Sequence, residues 1–269
     1  MPSPFGGLTA IGVDETSYRK GHTCITVVVD HERHRAIWAH DGYGRDVFGL
    51  FFQALTPEQR ASIRLVTGDG ARWIDSCVDR WCPNVERVLD GFHIVSWMSD
   101  ALDKVRKRLW NQARRDGDEK TTKRMRGVKY AVLKNPGALT DRQSEAFGNL
   151  RNTGPKGQLY RSWQLKELLR TLLKHPLEQA RGELRHWVFR ASHSRIPEIV
   201  EPAKKIRRRR PDILRTIQLG YSNARLEAFN NRIKVTIRMA YGFHHVDNLI
   251  ALVMLRCGGL DIRLPQPRT

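Results

Sequence analysis

The sequence predicts an α/β fold: a mixed five-stranded sheet with flanking helices and a mostly helical insertion before the last helices. Three observations predict it. Short apolar runs bounded by turn residues fill the first ninety residues. From Ile94 onward the apolar period becomes helical and lysine and arginine accumulate. Residues 223–240 then form an amphipathic stretch that carries one acid, three amides and several cations.

Each element has a local reason. Residues 8–15 are a short apolar strand ending in acids. Residues 23–30 alternate, with Ile25, Val27 and Val29 on one face, as a half-buried strand does. Lys20-Gly21-His22 is the expected turn between them, and residues 35–40 form a third strand after a turn near residues 31–34. Consecutive strands joined by tight turns make an antiparallel meander. Residues 47–55 read as a short helix, with Pro57 opening the next segment. Residues 63–67 are a fourth strand ending at Gly68-Asp69-Gly70, residues 71–81 a helix, and residues 85–89 a fifth strand. Three hairpin strands followed by helix, strand, helix and strand is the ribonuclease-H-like order.

Residues 95–115 keep a helical period through Val95, Met98, Leu102, Val105 and Leu109. Between Lys104 and Lys134, twelve Lys or Arg stand against three acids, which predicts a basic helical face. Asn135-Pro136-Gly137 and residues 152–157 are loops. Residues 163–173 and 177–189 form a helical hairpin broken at His175-Pro176. Residues 196–210 are a basic helix ended by Pro211, residues 223–240 a helix stopped by Gly242, and residues 245–256 the last helix. The expected organisation is residues 8–95 for the first part of the core, 96–220 for the basic helical insertion and 221–260 for the helices that complete the core.

Composition narrows the partner. A hydrophobic content of 40% supports a sizeable core, while the net charge is +19 with a pI near 10.4. Such an excess repels itself unless it meets a polyanion, and nucleic acid is the default through counterion release. No basic amphipathic anchor is evident, residues 249–255 are too short to span a bilayer, and residues 1–5 lack the features of a signal peptide, so no membrane partner is expected. Of the four cysteines, Cys24, Cys77, Cys82 and Cys257, only Cys77 and Cys82 are close, and not at zinc-ligand spacing. Buried free thiols of an intracellular protein are the expectation.

Three acids are candidates for metal chemistry. Asp14 follows Ile11-Gly12-Val13 on the first strand, and Asp69 lies between two glycines after the fourth. In a meander that continues into a parallel sheet these strands are neighbours, and sites in open α/β sheets gather beyond strand ends. Two carboxylates are half a site for a hard cation such as Mg²⁺. Phosphodiester chemistry commonly uses two such ions. Glu227 is the candidate third acid. Leu226, Phe229, Ile233, Ile237 and Ala240 form an apolar stripe for the sheet, and Glu227, Asn230, Asn231, Lys234 and Arg238 share the adjoining polar face. The plainer reading is a solvated Glu–Arg pair worth little and two turn-forming aspartates.

The segment Ile11-Gly12-Val13-Asp14-Glu15 through Tyr18-Arg19-Lys20-Gly21-His22, running into Thr26-Val27-Val28-Val29-Asp30, resembles the opening of the DDE domain of the ISL3 family of insertion-sequence transposases. Asp90-Gly91-Phe92-His93-Ile94-Val95, residues 101–106, residues 223–234 and Ala240-Tyr241-Gly242-Phe243 resemble it further, in order, over roughly residues 8–260. The resemblance implies a ribonuclease-H-like catalytic domain whose acids map onto Asp14, Asp69 and Glu227. Asp14 would bridge two Mg²⁺ or Mn²⁺ ions, with Asp69 and Glu227 each holding one. It implies DNA as partner, both element ends and target, a homo-oligomer assembled on that DNA, and a bacterial, cytoplasmic, nucleoid-associated setting. Family members usually carry an upstream zinc-binding segment and a helix-turn-helix region. Fewer than fifteen residues precede Asp14 here, so a chain lacking that region is expected.

Lesser candidates complete the set. Asp90 and His93 follow the fifth strand, as a spare ligand and a phosphate contact or as a turn-and-cap pair. Glu15 falls on the opposite strand face from Asp14. Asn231 and Lys234 are placed to position a phosphate, and Lys104, Arg106, Lys107, Arg108 and residues 207–210, Arg207 and Arg208 among them, to contact the DNA backbone. Three functions stay open at this level: a DNA transposase domain, a basic DNA-binding remnant without turnover, and a nuclease acting on RNA or branched DNA.

Overall fold

The computed structural model describes residues 5–19, 21, 23–148, 157–220, 224–239, 243 and 245–259, without the side chains of residues 224–227 and 230. Its elements run β1 (Ala10–Arg19), β2 (Thr23–Asp30), β3 (Arg35–Asp41), α1 (Arg45–Gln53), α2 (Pro57–Ser62), β4 (Leu65–Gly68), α3 (Arg72–Trp81) and β5 (Glu86–Leu89). There follow α4 (Gly91–Arg115), α5 (Glu119–Gly127), α6 (Asp141–Gly148), α7 (Gln158–Leu172), α8 (Leu177–Ser192), α9 (Pro197–Arg208) and α10 (Arg210–Leu219), then α11 (Ala224–Met239) and α12 (Val246–Cys257). The chain forms two units, Met1–Asp90 with Ser222–Thr269, and Gly91–Tyr221.

In the first unit the five strands form one mixed sheet in the order β3-β2-β1-β4-β5. β1 pairs antiparallel with β2, and β2 with β3. β1 pairs parallel with β4, and β4 with β5. The α/β class and the mixed sheet are those the sequence predicts, and they are consistent with a ribonuclease-H-like fold. The first strand differs most from expectation. β1 runs on to Arg19 because β2 pairs with it as far as Arg19↔Thr23, past a bulge between Ser17 and Arg19. Asp14 and Glu15 therefore lie inside the strand and do not end it.

Alternation along the strands gives the sheet two apolar faces. On one, Ile11, Val13 and Val28 pack with Phe48, Phe51 and Phe52 of α1 and with Ile74, Cys77 and Val78 of α3. The rings of Phe48 and Phe52 meet edge to face at 4.7 Å, a favoured aromatic geometry. On the other, Ile25, Val27, Val29 and Ala36 pack with Phe229 and Ile233 of α11 and Leu249, Val253 and Cys257 of α12. The stripe read on the α11 sequence is thus used at Phe229 and Ile233, with Ile237 half-buried beside them. Leu226, Ala240, Gly242 and loop residues 152–156 lie outside the described residues or side chains.

Gly68 closes β4 where a side chain would be crowded. A Cβ there would stand 3.1 Å from the Val13 carbonyl oxygen, 3.1 Å from Val13 Cγ1 and 3.0 Å from Ile74 Cδ1. These contacts are tighter than most that a Cβ makes, so the Ile74 and Val13 side chains and the Val13 carbonyl would have to give by a few tenths of an ångström.

The second unit is helical, with α4 packed against α5, α7 and α9. Met98, Leu102, Val105 and Leu109 are buried along α4, as their spacing predicts. The sequence reading of Pro211 as a terminator is corrected. The helix expected at 196–210 is α9, which ends at Arg208, but Pro211 sits in the first turn of a further helix, α10, where a missing N–H costs nothing. α9 is tied to α4 by Arg108, whose Nε lies 2.6 Å from Glu198 Oε1 and whose Nη2 lies 2.7 Å from Gln158 Oε1. Two cations are internal. Lys166 is 2% exposed, donating to the Val132 carbonyl at 3.0 Å, and Arg106 is 5% exposed, paired with Asp103 at 2.7 Å.

Two outcomes follow for stability. Gly68→Ala should cost about 1–3 kcal/mol in denaturant unfolding, the range for overpacking a filled site. The Glu198 carboxyl is held below the usual range: burial acts to raise it, and is outweighed by the Arg108 hydrogen bond, a backbone N–H and the Arg108 charge. A depressed carboxyl adds stability above its unfolded value and loses it as pH falls through the folded value. Glu198→Gln should therefore lower stability at pH 7 by about 1 kcal/mol at most, with parent and variant converging in unfolding curves taken progressively below pH 4.

Candidate active site

The site begins with strand register. β1 and β4 pair as Ala10↔Leu65, Ile11↔Val66 and Gly12↔Thr67. Continued one step, that register brings Val13 to Gly68, and one step more points Asp14 toward Asp69, just past the end of β4. Neighbouring strands lie about 4.8 Å apart, so the two aspartates emerge side by side. Asp14 is also opposite Val27 across the β1–β2 pair, and Val27 belongs to the cluster of Phe229 and Ile233. Residues opposite one another share a face. Asp14 therefore lies on the sheet face covered by α11, the helix that carries Glu227.

Asp69 is the first residue past β4. Its Oδ1 accepts the Ala71 N–H at 2.9 Å, a turn that aspartate makes readily. Both aspartates are half-buried. Glu227 lies in the first turn of α11, and its side chain is outside the described residues, as is that of Asn230. Among the described residues, no three His, Cys, Asp or Glu side chains come together in a way that could hold a metal ion. Asp14 and Asp69 offer hard carboxylate oxygens of the kind Mg²⁺ and Mn²⁺ prefer.

A third acid stands close to that pair. Glu15 is opposite Thr26, so it keeps the sheet face away from Asp14, as alternation predicts. Its carboxyl is nevertheless pushed above the usual range, first by burial, then by Asp69, then by Asp14, against a lowering contribution from the Gly44 N–H at the start of α1. Glu15 Oε1 is buried without a hydrogen-bond partner among the described residues. Strand alternation separates faces but says nothing of reach around a strand end, and for that reason the sequence does not connect Glu15 with Asp69.

The remaining candidates divide. Asp90 is 8% exposed and donates its N–H to the Gly68 carbonyl at 3.0 Å, so it continues β5 at the same end of the sheet as Asp69. His93 is half-buried in the first turn of α4, in the second unit. Asn231, Lys234 and Arg238 are exposed on α11, as are Lys104 on α4 and Arg207 and Arg208 on α9. Arg106, expected to touch phosphate, is buried instead, because its guanidinium serves Asp103 and the Met125 carbonyl. The exposed cations of α4 line a groove of about 720 Å³, formed by Lys104, Lys107, Arg108, Asn111, Arg114 and Arg115. These positions recur at helical spacing, and among the described residues no acid lines the groove. No helix among the described residues is long and apolar enough to cross a membrane.

Comparison with known proteins places this architecture. Residues 11–253 match the ISL3-type family described as transposase. The transposase for insertion sequence element IS1557 of Mycobacterium tuberculosis is 38% identical over 97% of this chain and 63% of its own length. The transposase for insertion sequence element IS1001 of Bordetella parapertussis is 27% identical over 87% of this chain and 57% of its own length. The chain thus spans less than two thirds of the length of these curated relatives. A match from β1 into α12, together with a relative of this identity along nearly the whole chain, establishes that the protein belongs to the ISL3 family of transposases.

Proposed function

We propose that this chain is a DDE-type catalytic domain that cleaves and joins DNA strands in insertion-sequence transposition. The reading is supported by the β1–β4 register, which, continued past its last pair, points Asp14 toward Asp69, and by the position of Asp14 on the sheet face packed by the helix of Glu227. Asp14, Asp69 and Glu227 would hold Mg²⁺ or Mn²⁺. Two such ions, when bound, supply activation of the attacking oxygen and stabilisation of the leaving one.

The rest falls to groups of the chain itself. On α11, exposed Asn231, Lys234 and Arg238 follow Glu227 at helical spacing, so an amide and two cations stand ready to orient a phosphate that reaches the acids. Lys is a compact point charge and Arg a planar fork, and together they suit the several oxygens of a phosphodiester. In the second unit, the α4 groove and exposed Arg207 and Arg208 provide sequence-independent grip on the DNA backbone. Phosphate contacts of this kind position DNA, and base contacts specify it.

Cleavage of labelled DNA bearing element ends, with Mg²⁺ or Mn²⁺, tests the chemistry. Asp14→Asn, Asp69→Asn and Glu227→Gln should each reduce it by about a hundredfold or more. Variants that cleave like the parent sink the assignment, and tight binding with no cleavage under either metal leaves a DNA-binding remnant. Replacing Lys104, Arg114 and Arg115 by Gln should flatten the dependence of log K on log salt by about 0.9 for each phosphate that the variant no longer neutralises. An unchanged slope removes the groove from the DNA surface.

A further inference from the structure

Arg87 is the second residue of β5, an edge strand, where a cation ordinarily points to water. Here its side chain is 11% exposed. A cation withdrawn from water is costly unless paired and hydrogen-bonded. Arg87 meets that requirement along one direction. Its Nε faces Asp75 Oδ1 of α3 at 3.3 Å. Its Nη1 donates to the carbonyls of Gly68 at 3.4 Å and Val88 at 2.5 Å, and its Nη2 donates to the carbonyl of Asp69. Register puts Arg87 opposite Val66, so the side chain runs along β4 to the point where the strand stops.

That point is the base of Asp69. The ladder between β4 and β5 ends at Gly68↔Leu89, and the Asp69 carbonyl is the first one beyond it. A backbone carbonyl shielded from water needs a donor, and Arg87 supplies it. Asp69 is then held twice, by its carbonyl through Arg87 and by its carboxylate through the Ala71 N–H. We propose that Arg87, aimed by Asp75, is a positioning residue that fixes the Gly68–Asp69 main chain so that the Asp69 carboxylate stays beside Asp14. The proposal rests on the reading of Asp69 as a metal-holding carboxylate. A fork that reaches Asp75 and several carbonyls at once is a property of guanidinium that an ammonium lacks.

Mn²⁺ binding to the 269-residue chain, read from the paramagnetic resonance signal of free Mn²⁺ at temperatures where each variant is folded, tests this. Asp69→Asn should lose most of the carboxylate-dependent binding. Arg87→Met should bind Mn²⁺ roughly tenfold more weakly, the scale on which groups that orient ligands act. Arg87→Lys should recover only part of that loss, and metal-free DNA affinity should stay near the parent's in both Arg87 variants. If Asp69→Asn loses Mn²⁺ while folded Arg87→Met binds it like the parent, the positioning role is overturned and the reading of Asp69 stands. If the parent and Asp69→Asn bind alike, that reading falls and the role of Arg87 falls with it. Should Arg87→Met not fold, Asp75→Asn decides by the same titration: weaker binding supports the proposal, and parent-like binding overturns it.

Discussion

Val13 and Gly68 approach so closely across the β1–β4 pair that a β-carbon between them would be crowded. That close approach seats the two parallel strands in their present register, and every feature of the candidate site depends on it. A slip of one residue would send each side chain of β4 to the other face. Asp69 would leave the side of Asp14, and Val66 would leave the core it shares with Phe48 and Ile74. The same small residue that admits the close approach also ends the strand, so that Asp69 begins a turn. Packing and chemistry are therefore set by one piece of backbone, and Arg87 and Asp75 brace it from the side of β5 and α3.

Much of this is legible in the sequence where the signal is local. Alternation marks β2 to the residue, and the acids Asp14 and Asp69 stand out beside glycines. The α11 stripe is legible at Phe229 and Ile233 because helical period and burial agree there. Non-local facts are not legible. The pairing of β1 with β4, more than fifty residues on, is reached only through the order of the whole fold, and nothing near Asp14 announces that the end of β1 is set by how far β2 pairs with it. Pro211 is ambiguous by nature, since proline both follows helices and opens them, and only the packing of α10 against α8 and α9 decides. Arg87 gives no signal at all: a cation on a strand reads as an outward-facing residue until its partners are seen.

The basic surplus is also less uniform than composition suggests. Arg106 and Lys166 are internal fittings of the helical unit, closing a carboxylate or a free carbonyl in low dielectric. Arg108 is divided, holding Glu198 and Gln158 while lining the α4 groove. Cations used inside the unit organise its helices, and those left along one side of α4 give it a directional field. Sequence counting adds the two populations together, because burial depends on which helices meet, and membership of the ISL3 family does not separate them either.

The two faces of the sheet are closed by parts of the chain made at very different times. Phe48, Phe51 and Phe52 follow the meander almost at once, so one face is covered early. Ile25, Val27 and Val29 wait for Phe229, Ile233 and Leu249, roughly 200 residues later, which at about 5–20 residues per second is on the order of 10–40 seconds of synthesis. Through that interval a nascent chain holds an apolar strand face with nothing of its own to cover it. Its yield in the cell is therefore expected to depend on chaperones at the ribosome, and a stalled or shortened message would release a product with that face still bare.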